Sequence, residues 1–454
     1  MIRKLIHRIF RRTAHKDSET HPNIIAVAQH GVRRDQLSPA ALKVTTRLQE
    51  ANFSAFVVGG AVRDLLLGVE PKDFDVATDA TPEEVHRLFR RSRIIGRRFR
   101  IVHVVFGRDE VIEVTTFRGD GTTVQTAASG RILSDNTYGN QADDARRRDF
   151  TVNALFYDPD SETVLDYYHG MKDLAARQLV MIGQPLERYK EDPVRMLRAV
   201  RLAAKLGFSI EENTRKPIAQ LAPLLKDVAS ARLFDEMLKM LHSGHAWLCL
   251  TRLRDEGLHH GIFPLLDTIL EQEEGAEFVK LALDNTDQRL REGRGISDGF
   301  LFATLLWGQV NSEWQRRLAQ GEKSIPALLA AMDGLESRQD HELAIPRRYV
   351  ATMREIWGMQ PRFDVRSGAR PYRLLEQPRF RAAYDFLYLR AEAGEVPLAL
   401  VEWWTAFQTA DEATRQVLLA QADAPSAVKK KRRRRKKPAN AAGGVDSIEQ
   451  DDEE

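Results

Sequence analysis

Apolar and polar positions follow two different rhythms along this chain. Between residues 40 and 118, short apolar runs of strand length alternate with stretches of helical period. Ser38-Pro39 is a helix-start signal, followed by the periodic run AALKVTTRLQEA. FSAFVVGG reads as a strand stopped by two glycines, and AVRDLLLG as a helix that ends at Gly68. KDFDVATDA is a second strand, and TPEEVHRLF opens a helix with Thr81 as cap and Pro82 at its first position. RIVHVVFG and EVIEVTTFR are two further strands, separated by the turn GRDE. From 119 to about 145 the composition turns to Gly, Thr, Ser, Asn and Asp, a loop long enough to be functional or mobile. From about residue 185 onward apolar residues recur at helical spacing with no convincing strand. PVRMLRAVRLAAKLGF and ARLFDEMLKMLHSG are the clearest cases, each closed by a glycine. No tandem repeat of fixed period occurs. The pattern predicts an α+β fold: a small head with a mixed sheet and helices, then an all-α neck and body. The expected boundaries are 1–36 for a mobile basic extension, 37–158 for the head, 159–245 for the neck, 246–425 for the body and 426–454 for a disordered tail.

Composition narrows the class. The 454 residues exceed what one core holds, so two to four folded units are expected. Hydrophobic content of 43% and charged content of 29% describe a soluble globular protein. No apolar run approaches the roughly 20 residues of a membrane span. The single cysteine, Cys249, excludes an internal disulfide and a thiolate zinc site and suits a reducing cytoplasm; in AWLCLTRL it reads as a small buried apolar residue. The net charge of +3 hides a strong asymmetry. Residues 429–437, KKKRRRRKK, are nine bases in a row, and 446–454 carry six acids; without them, 59 basic and 59 acidic residues remain. So dense a basic run cannot bury anything and should point outward as a polyanion-binding arm, or else as a solvated tail. The N-terminal sixteen residues hold six Lys or Arg and no acid, with Ile2, Leu5, Ile6, Ile9 and Phe10 at helical spacing. They form an amphipathic helix on an anionic membrane surface or on RNA, or stay unfolded until a partner is met.

The chemistry concentrates in 58–79, VGGAVRDLLLGVEPKDFDVATD. Asp73 and Asp75, two apart on a strand, face one side. Such paired carboxylates repel unless a divalent cation lies between them, and magnesium commonly takes one or two carboxylates plus substrate phosphates. A lone DxD is weak evidence, since many are surface residues. Upstream, Gly59 and Gly60 lie between a strand and a helix, where backbone N–H groups meet a triphosphate. Arg63 and Asp64 sit on the first turn of that helix, so a guanidinium is close to the same phosphates. Strand, two glycines, helix with arginine, then a strand with DxD differs from both a Walker loop and a dinucleotide fingerprint. The bland alternative is a tight turn beside a surface acidic strand.

Taken together, GGAVRDLLLG, KDFDVATDATPEEV, EVTTFRG, RRDFTVNAL and EDPVRMLRAVRLAAKLGF resemble the second class of the DNA polymerase β nucleotidyltransferase superfamily, which holds bacterial poly(A) polymerases and CCA-adding tRNA nucleotidyltransferases. The resemblance covers about 40–245. It implies a nucleotidyltransferase head, a neck that reads the base, and a helical body that holds RNA. It places two magnesium ions, with Mn2+ a substitute, on Asp73 and Asp75, and triphosphate contacts on Gly60 and Arg63. Asp149 matches the further acid regarded as active in poly(A) polymerases, with Glu113 of VIEVTTF as its rival for third metal carboxylate. Arg148 and Asn153 match contacts to the nucleotide's phosphate or sugar. ATP, RNA 3′ ends and RNA-decay proteins are the implied partners.

The EDPVR segment has its own logic. On a helix, Asp192, Arg195, Arg198 and Arg201 share one flank. A carboxylate accepts and a guanidinium donates, which suits the amine and ring nitrogen of adenine or cytosine and mismatches guanine and uracil. A mismatch costs on the order of 1–3 kcal/mol per buried polar group. An edge that fits A and C alike leaves AMP tailing and CCA addition both open. Tailing is favoured by the segment RIIGRRFRIVHVVFG, which resembles the poly(A) polymerase version, by the lack of an HD-type histidine–aspartate signature, and by the basic arm. On that segment Arg100 and His103 suit either a phosphate contact or a structural pair. His259-His260 reads as a helix-terminal or solvent pair rather than a metal site. Trp403-Trp404 and Tyr384, Phe386 and Tyr388 read as core before they read as base-stacking residues. The expectation is a cytoplasmic polynucleotide adenylyltransferase that adds AMP from ATP to RNA 3′ ends and promotes RNA processing and decay. CCA addition to tRNA is the enzymatic alternative, and a catalytically silent RNA-binding scaffold the non-enzymatic one.

Overall fold

A computed structural model describes residues 21–96, 100–107, 110–119, 125–126, 132–134, 138–259, 276–342 and 345–423. The basic N-terminal segment, residues 97–99, much of the 119–145 loop, His260 and the KKKRRRRKK arm lie outside the described residues.

Twelve strands occur among the described residues: β1 (Asn23–Ile25), β2 (Ala55–Val58), β3 (Asp75–Thr78), β4 (Ser92–Ile95), β5 (Ile101–Phe106), β6 (Glu110–Thr116), β7 (Gln125–Thr126), β8 (Ile132–Ser134), β9 (Leu155–Asp158), β10 (Thr163–Asp166), β11 (Gln178–Leu179) and β12 (Ser209–Ile210). Eight of them make one sheet, ordered β1-β10-β9-β2-β3-β6-β5-β4. All its pairings are antiparallel except β3 with β6. β7 pairs with β8, and β11 with β12. Helices α1 (Pro39–Glu50), α2 (Gly60–Leu66) and α3 (Pro82–Leu88) belong to this head. Both N-terminal caps act as expected. The Ser38 hydroxyl accepts from the Ala41 N–H at 3.1 Å, and Thr81 and Glu84 form a reciprocal capping box.

The sheet reaches further along the chain at both ends than the 37–158 head expected from sequence. Asn23–Ile25 pairs with β10 as an edge strand, so chain placed in the mobile extension is built into the sheet. Thr163–Asp166, placed in the neck, pairs with β9. Two- and three-residue strands carry no period to read, which is why β1 and β12 escape a pattern search. The second expected strand starts late: Asp73 precedes β3, and Asp75 is its first residue.

Helix α4 (Gln141–Arg147) precedes β9, and beyond the sheet come α5 (Pro185–Glu191), α6 (Val194–Leu206), α7 (Ser230–Leu241) and α8 (Ala246–Asp255), then long body helices such as Ala276–Arg291, Asp298–Ala319 and Arg347–Phe363. α6 closes on Gly207, whose φ of 66° is a left-handed cap. One apolar core runs from Val44, Val57 and Val76 in the head through Val200 and Met240 in the neck to Trp307 in the body. Head and neck are thereby packed against each other, and the functional cleft lies between them. A second cluster around Phe363, Trp404 and Phe407 closes the C-terminal helices. No helix among the described residues is long and apolar enough to cross a membrane.

Candidate active site

The cleft is built outward from the register of β2, β3 and β6. Val58 pairs with Asp75, so the chain leaves β2 into Gly59-Gly60 directly beside the first residue of β3. Asp75 in turn pairs with Glu113 on the parallel neighbour β6, which puts two carboxylates side by side on one face. Burial first, then the charge of Glu113, push the Asp75 carboxyl up to about 6, against the pull of Arg148. Among the described residues no hydrogen bond or ion pair engages the Asp75 carboxylate, whereas Glu113 Oε1 lies 3.1 Å from His103 Nε2. Asp73 is exposed, two residues upstream, and adds to the negative field on Asp75. The donors are carboxylate oxygens, those of Asp75 without a hydrogen bond or ion pair among the described residues, and that set suits a hard divalent cation. Among the described residues no three His, Cys, Asp or Glu converge closely enough to form a ready-made cage.

Gly59 has φ 71° and ψ −127°, a conformation that glycine adopts without strain. A Cβ there would lie 3.2 Å from Arg148 Nη1, so the missing side chain makes room for this guanidinium. Arg148 is held by Asp144 Oδ2 at 3.0 Å and by the Asn153 carbonyl at 3.2 Å, and lies 5.0 Å from the Phe156 ring.

Deeper in, the side chains form a continuous polar relay. Arg63 is buried and donates to Asp64 Oδ1 and, at 2.6 Å, to Asn153 Oδ1. Asn153 donates to Asp149 Oδ1, which also accepts from the Phe150 N–H. Arg198 grips Asp149 Oδ2 at 2.6 Å. Burial would push the Asp149 carboxyl up, but Arg198, Asn153 and the Phe150 amide outweigh it and hold it near 2. Asp149 is thus a fixed anion that anchors neck to head, with both oxygens engaged. Arg201 completes the relay on buried Glu236 of α7 at 3.1 Å, which also accepts from Lys239 at 3.0 Å.

Asp192 departs from expectation. It is not on the helix flank of the arginines: it sits between α5 and α6 with φ −148° and ψ 95°. The cause is Pro193, whose ring pushes the preceding residue out of helical geometry. Arg195, Arg198 and Arg201 do share α6, and all four residues line the cleft. Arg232 holds Asp192 Oδ2 at 2.9 Å, while Oδ1 has no partner. Arg195 is steadied by the Arg188 carbonyl at 2.7 Å and Glu191 at 2.9 Å.

The cleft, about 610 Å³, brings together Gly59, Gly60, Arg63, Asp75, Glu113, Arg148, Asp149, Asn153, Asp192, Arg195, Arg198 and Arg201. Asp73 is not among its lining residues. Sequence reading missed Asp144, Arg232, Glu236 and Lys239. The last three stand at helical spacing in SARLFDEMLKML, a signal that was legible as a polar face but not as a cleft wall. Ten basic and seven acidic side chains line the space, an excess that suits a polyphosphate. Arg100 is spent on Glu83 at 2.6 Å. His259 is buried, not solvent-facing. Trp403, Trp404, Tyr384 and Phe386 are buried core; Tyr388 is 43% exposed.

The family profile described as Poly A polymerase head domain matches residues 55–180. Those for the probable RNA and SrmB-binding site of polymerase A and for the polymerase A arginine-rich C-terminus match 207–270 and 320–438. Poly(A) polymerase I of Salmonella typhimurium is 42% identical over 93% of this chain and 93% of its own. A CCA-adding enzyme of Geobacillus kaustophilus is 38% identical, but over only 48% of this chain and 53% of its own. A solved tRNA-processing enzyme in apo form shares the fold at a TM-score of 0.56 and 22% identity, covering 84% of this chain and 99% of its own. The chain therefore belongs to the bacterial poly(A) polymerase I family of polynucleotide adenylyltransferases.

Proposed function

We propose that this chain adds AMP from ATP to RNA 3′ ends without a template, the 3′-hydroxyl attacking the α-phosphate in line and pyrophosphate leaving. The observation that carries this reading is the in-register pair Asp75–Glu113 beside the Gly59-Gly60 turn, at one end of a guanidinium-rich cleft that continues to Asp192 and Arg195. The family uses divalent metal ions; here Asp75 and Glu113, with Asp73 at the edge, would hold two Mg2+ ions. When bound, the metal supplies a lowered pKa at the attacking hydroxyl and charge neutralisation on the triphosphate. Glu113 is the better third carboxylate, because both oxygens of Asp149 are already committed to protein donors. Arg148 is placed to neutralise phosphate charge. Arg63 reaches phosphate only by loosening its bonds to Asp64 and Asn153, so its role is to shape the turn.

Asp192 Oδ1 is a waiting acceptor, and Arg195 a steadied donor, for the amine and ring nitrogen of adenine. The same edge fits cytosine, so CCA addition is the one competing chemistry; the partial span of the CCA-adding relative weighs against it. RNA is the polymer substrate, a reading supported by the RNA-binding profile at 207–270. The buried, unpaired Cys249 fits a reducing cytoplasm. The test offers each of ATP, CTP, GTP and UTP with magnesium to an unstructured RNA and to a tRNA lacking its terminal CCA. Long A-only extension of both RNAs is expected; C, C and A added to the tRNA, stopping there, would overturn the reading.

A further inference from the structure

A second cavity, about 620 Å³, lies in the body, and none of its residues lines the catalytic cleft. The helices Ala276–Arg291, Asp298–Ala319 and Phe380–Glu392 enclose it with the 292–297 loop. Its position falls between and across the matched profiles, outside the 207–270 RNA-binding segment. Four arginines and a single carboxylate line it. Arg289 donates twice to the Gly295 carbonyl, at 3.2 and 2.7 Å, which fixes the loop. Arg379 and Arg381 rest on Glu355 at 3.2 Å and Asp385 at 3.0 Å, and Arg294 on Glu292. These pairs are exposed, so they are weak and a phosphate can exchange for the carboxylate. Phe300, Leu301 and Leu389 supply apolar lining. At the rim stands Tyr388, with 43% of its surface open although its neighbours Phe386 and Leu387 are wholly buried.

We propose that this groove binds a single-stranded RNA segment upstream of the 3′ end being extended, with a base on Tyr388 and phosphates on Arg379, Arg381 and Arg294. Charge selects the occupant: four guanidiniums against the three carboxylates of Glu292, Glu355 and Asp385 leave a net positive groove that attracts a polyanion, and an exposed ring over apolar lining accepts any base face without reading its edge. Such a site holds RNA regardless of sequence, as an enzyme that extends varied transcripts requires. The proposal rests on the adenylyltransferase reading for its biological sense but not for its test.

The test measures anisotropy of labelled oligo(A) of roughly 20 and roughly 6 nucleotides on the full chain without ATP, alongside magnesium-dependent addition of one AMP to the short primer. Tyr388→Ala is expected to weaken the longer RNA roughly 5- to 150-fold. A double Arg379→Ala, Arg381→Ala variant should also flatten its salt dependence by about 0.7 in log–log slope for each phosphate it no longer neutralises. Short-RNA affinity and single addition should stay at wild-type values, and Tyr388→Phe should behave as wild type. Wild-type binding of the longer RNA by Tyr388→Ala and the arginine variant, or equal weakening of both lengths, would overturn the groove. The binding arm contains no chemistry, so failure of AMP transfer by the wild type would strike the enzymatic reading alone.

Discussion

Replacing Asp75 by Asn should inactivate the enzyme and yet make its metal-free form more stable. Burial and the neighbouring Glu113 raise the Asp75 carboxyl from 3.8 to about 6. The sign follows from proton linkage. Stability is fully present below the unfolded value near 3.9 and is lost as pH rises through about 6, because only the folded state resists ionisation there. Two units correspond to roughly 3 kcal/mol; since the carboxyl opens onto the solvent of the cleft, a realistic loss at neutral pH is about 1–2 kcal/mol. The amide is nearly isosteric and carries no charge, so it removes that loss. Urea melts in a chelating buffer should therefore place the Asn variant's midpoint above wild type at pH 7.5 and level with it only below about pH 3.5. Adding magnesium should raise wild type, because a ligand of the folded state alone stabilises by RT ln(1 + [L]/Kd), and should raise the variant much less. An Asn variant less stable than wild type at neutral pH, or equally stabilised by magnesium, would refute both the electrostatic argument and the metal assignment.

Other expectations can be checked as directly. Glu113→Gln should lower kcat roughly 10²–10³-fold, since several kcal/mol of charge stabilisation go with the carboxylate, while its metal-free melt at neutral pH should be no lower than wild type because the like charge beside Asp75 is gone; activity near wild type would return the third position to Asp149. Asp149→Asn leaves Arg198 only the more distant Glu236 carboxylate at 3.8 Å and should cost about 2–3 kcal/mol in a denaturant melt, less than the 3–5 of a fully buried pair because Arg198 is about one-third exposed and keeps that second anion; because Asp149 is held near 2, this contribution should persist down to about pH 4 and fade only below it. Asp192→Ala should narrow the ATP preference over GTP and UTP by roughly 5- to 150-fold in kcat/KM, as the acceptor for the adenine amine is gone; full discrimination would sink the base-reading role. Gly59→Ala should cost about 1–3 kcal/mol and weaken ATP binding, because its positive φ strains any side chain and the new Cβ meets Arg148 at 3.2 Å; an unchanged melting temperature would show that the turn relaxes freely.

What the chain determined by itself is whatever depends on near neighbours in sequence. The caps at Ser38 and Thr81, the glycine stops at Gly68 and Gly207, the helical run through α6 and the order of motifs from Gly59 to Arg201 are all local, and local propensity and period write them out directly. Proline geometry is local too, and it shows why Asp192 leaves the helix: a strict reading of Pro193 would have placed it in the break between α5 and α6. Composition likewise set the basic run at 429–437 apart as a polyanion-binding arm or a solvated tail, a reading that falls outside the described residues.

Tertiary structure alone decided which charged groups meet. No pattern in EVIEVTTF says that Glu113 will sit in register with Asp75, since that follows from the parallel pairing of β3 and β6, strands separated by two others in sequence. Nor does RRRDF reveal that Asp149 is consumed by Arg198, 49 residues away, or that Arg232 and Glu236 of α7 hold Asp192 and Arg201. The reason is physical: propensity acts over a few residues, whereas the partner of a buried charge is chosen by how sheet and helices pack around a common core, and an ion without a partner there would be too costly to keep.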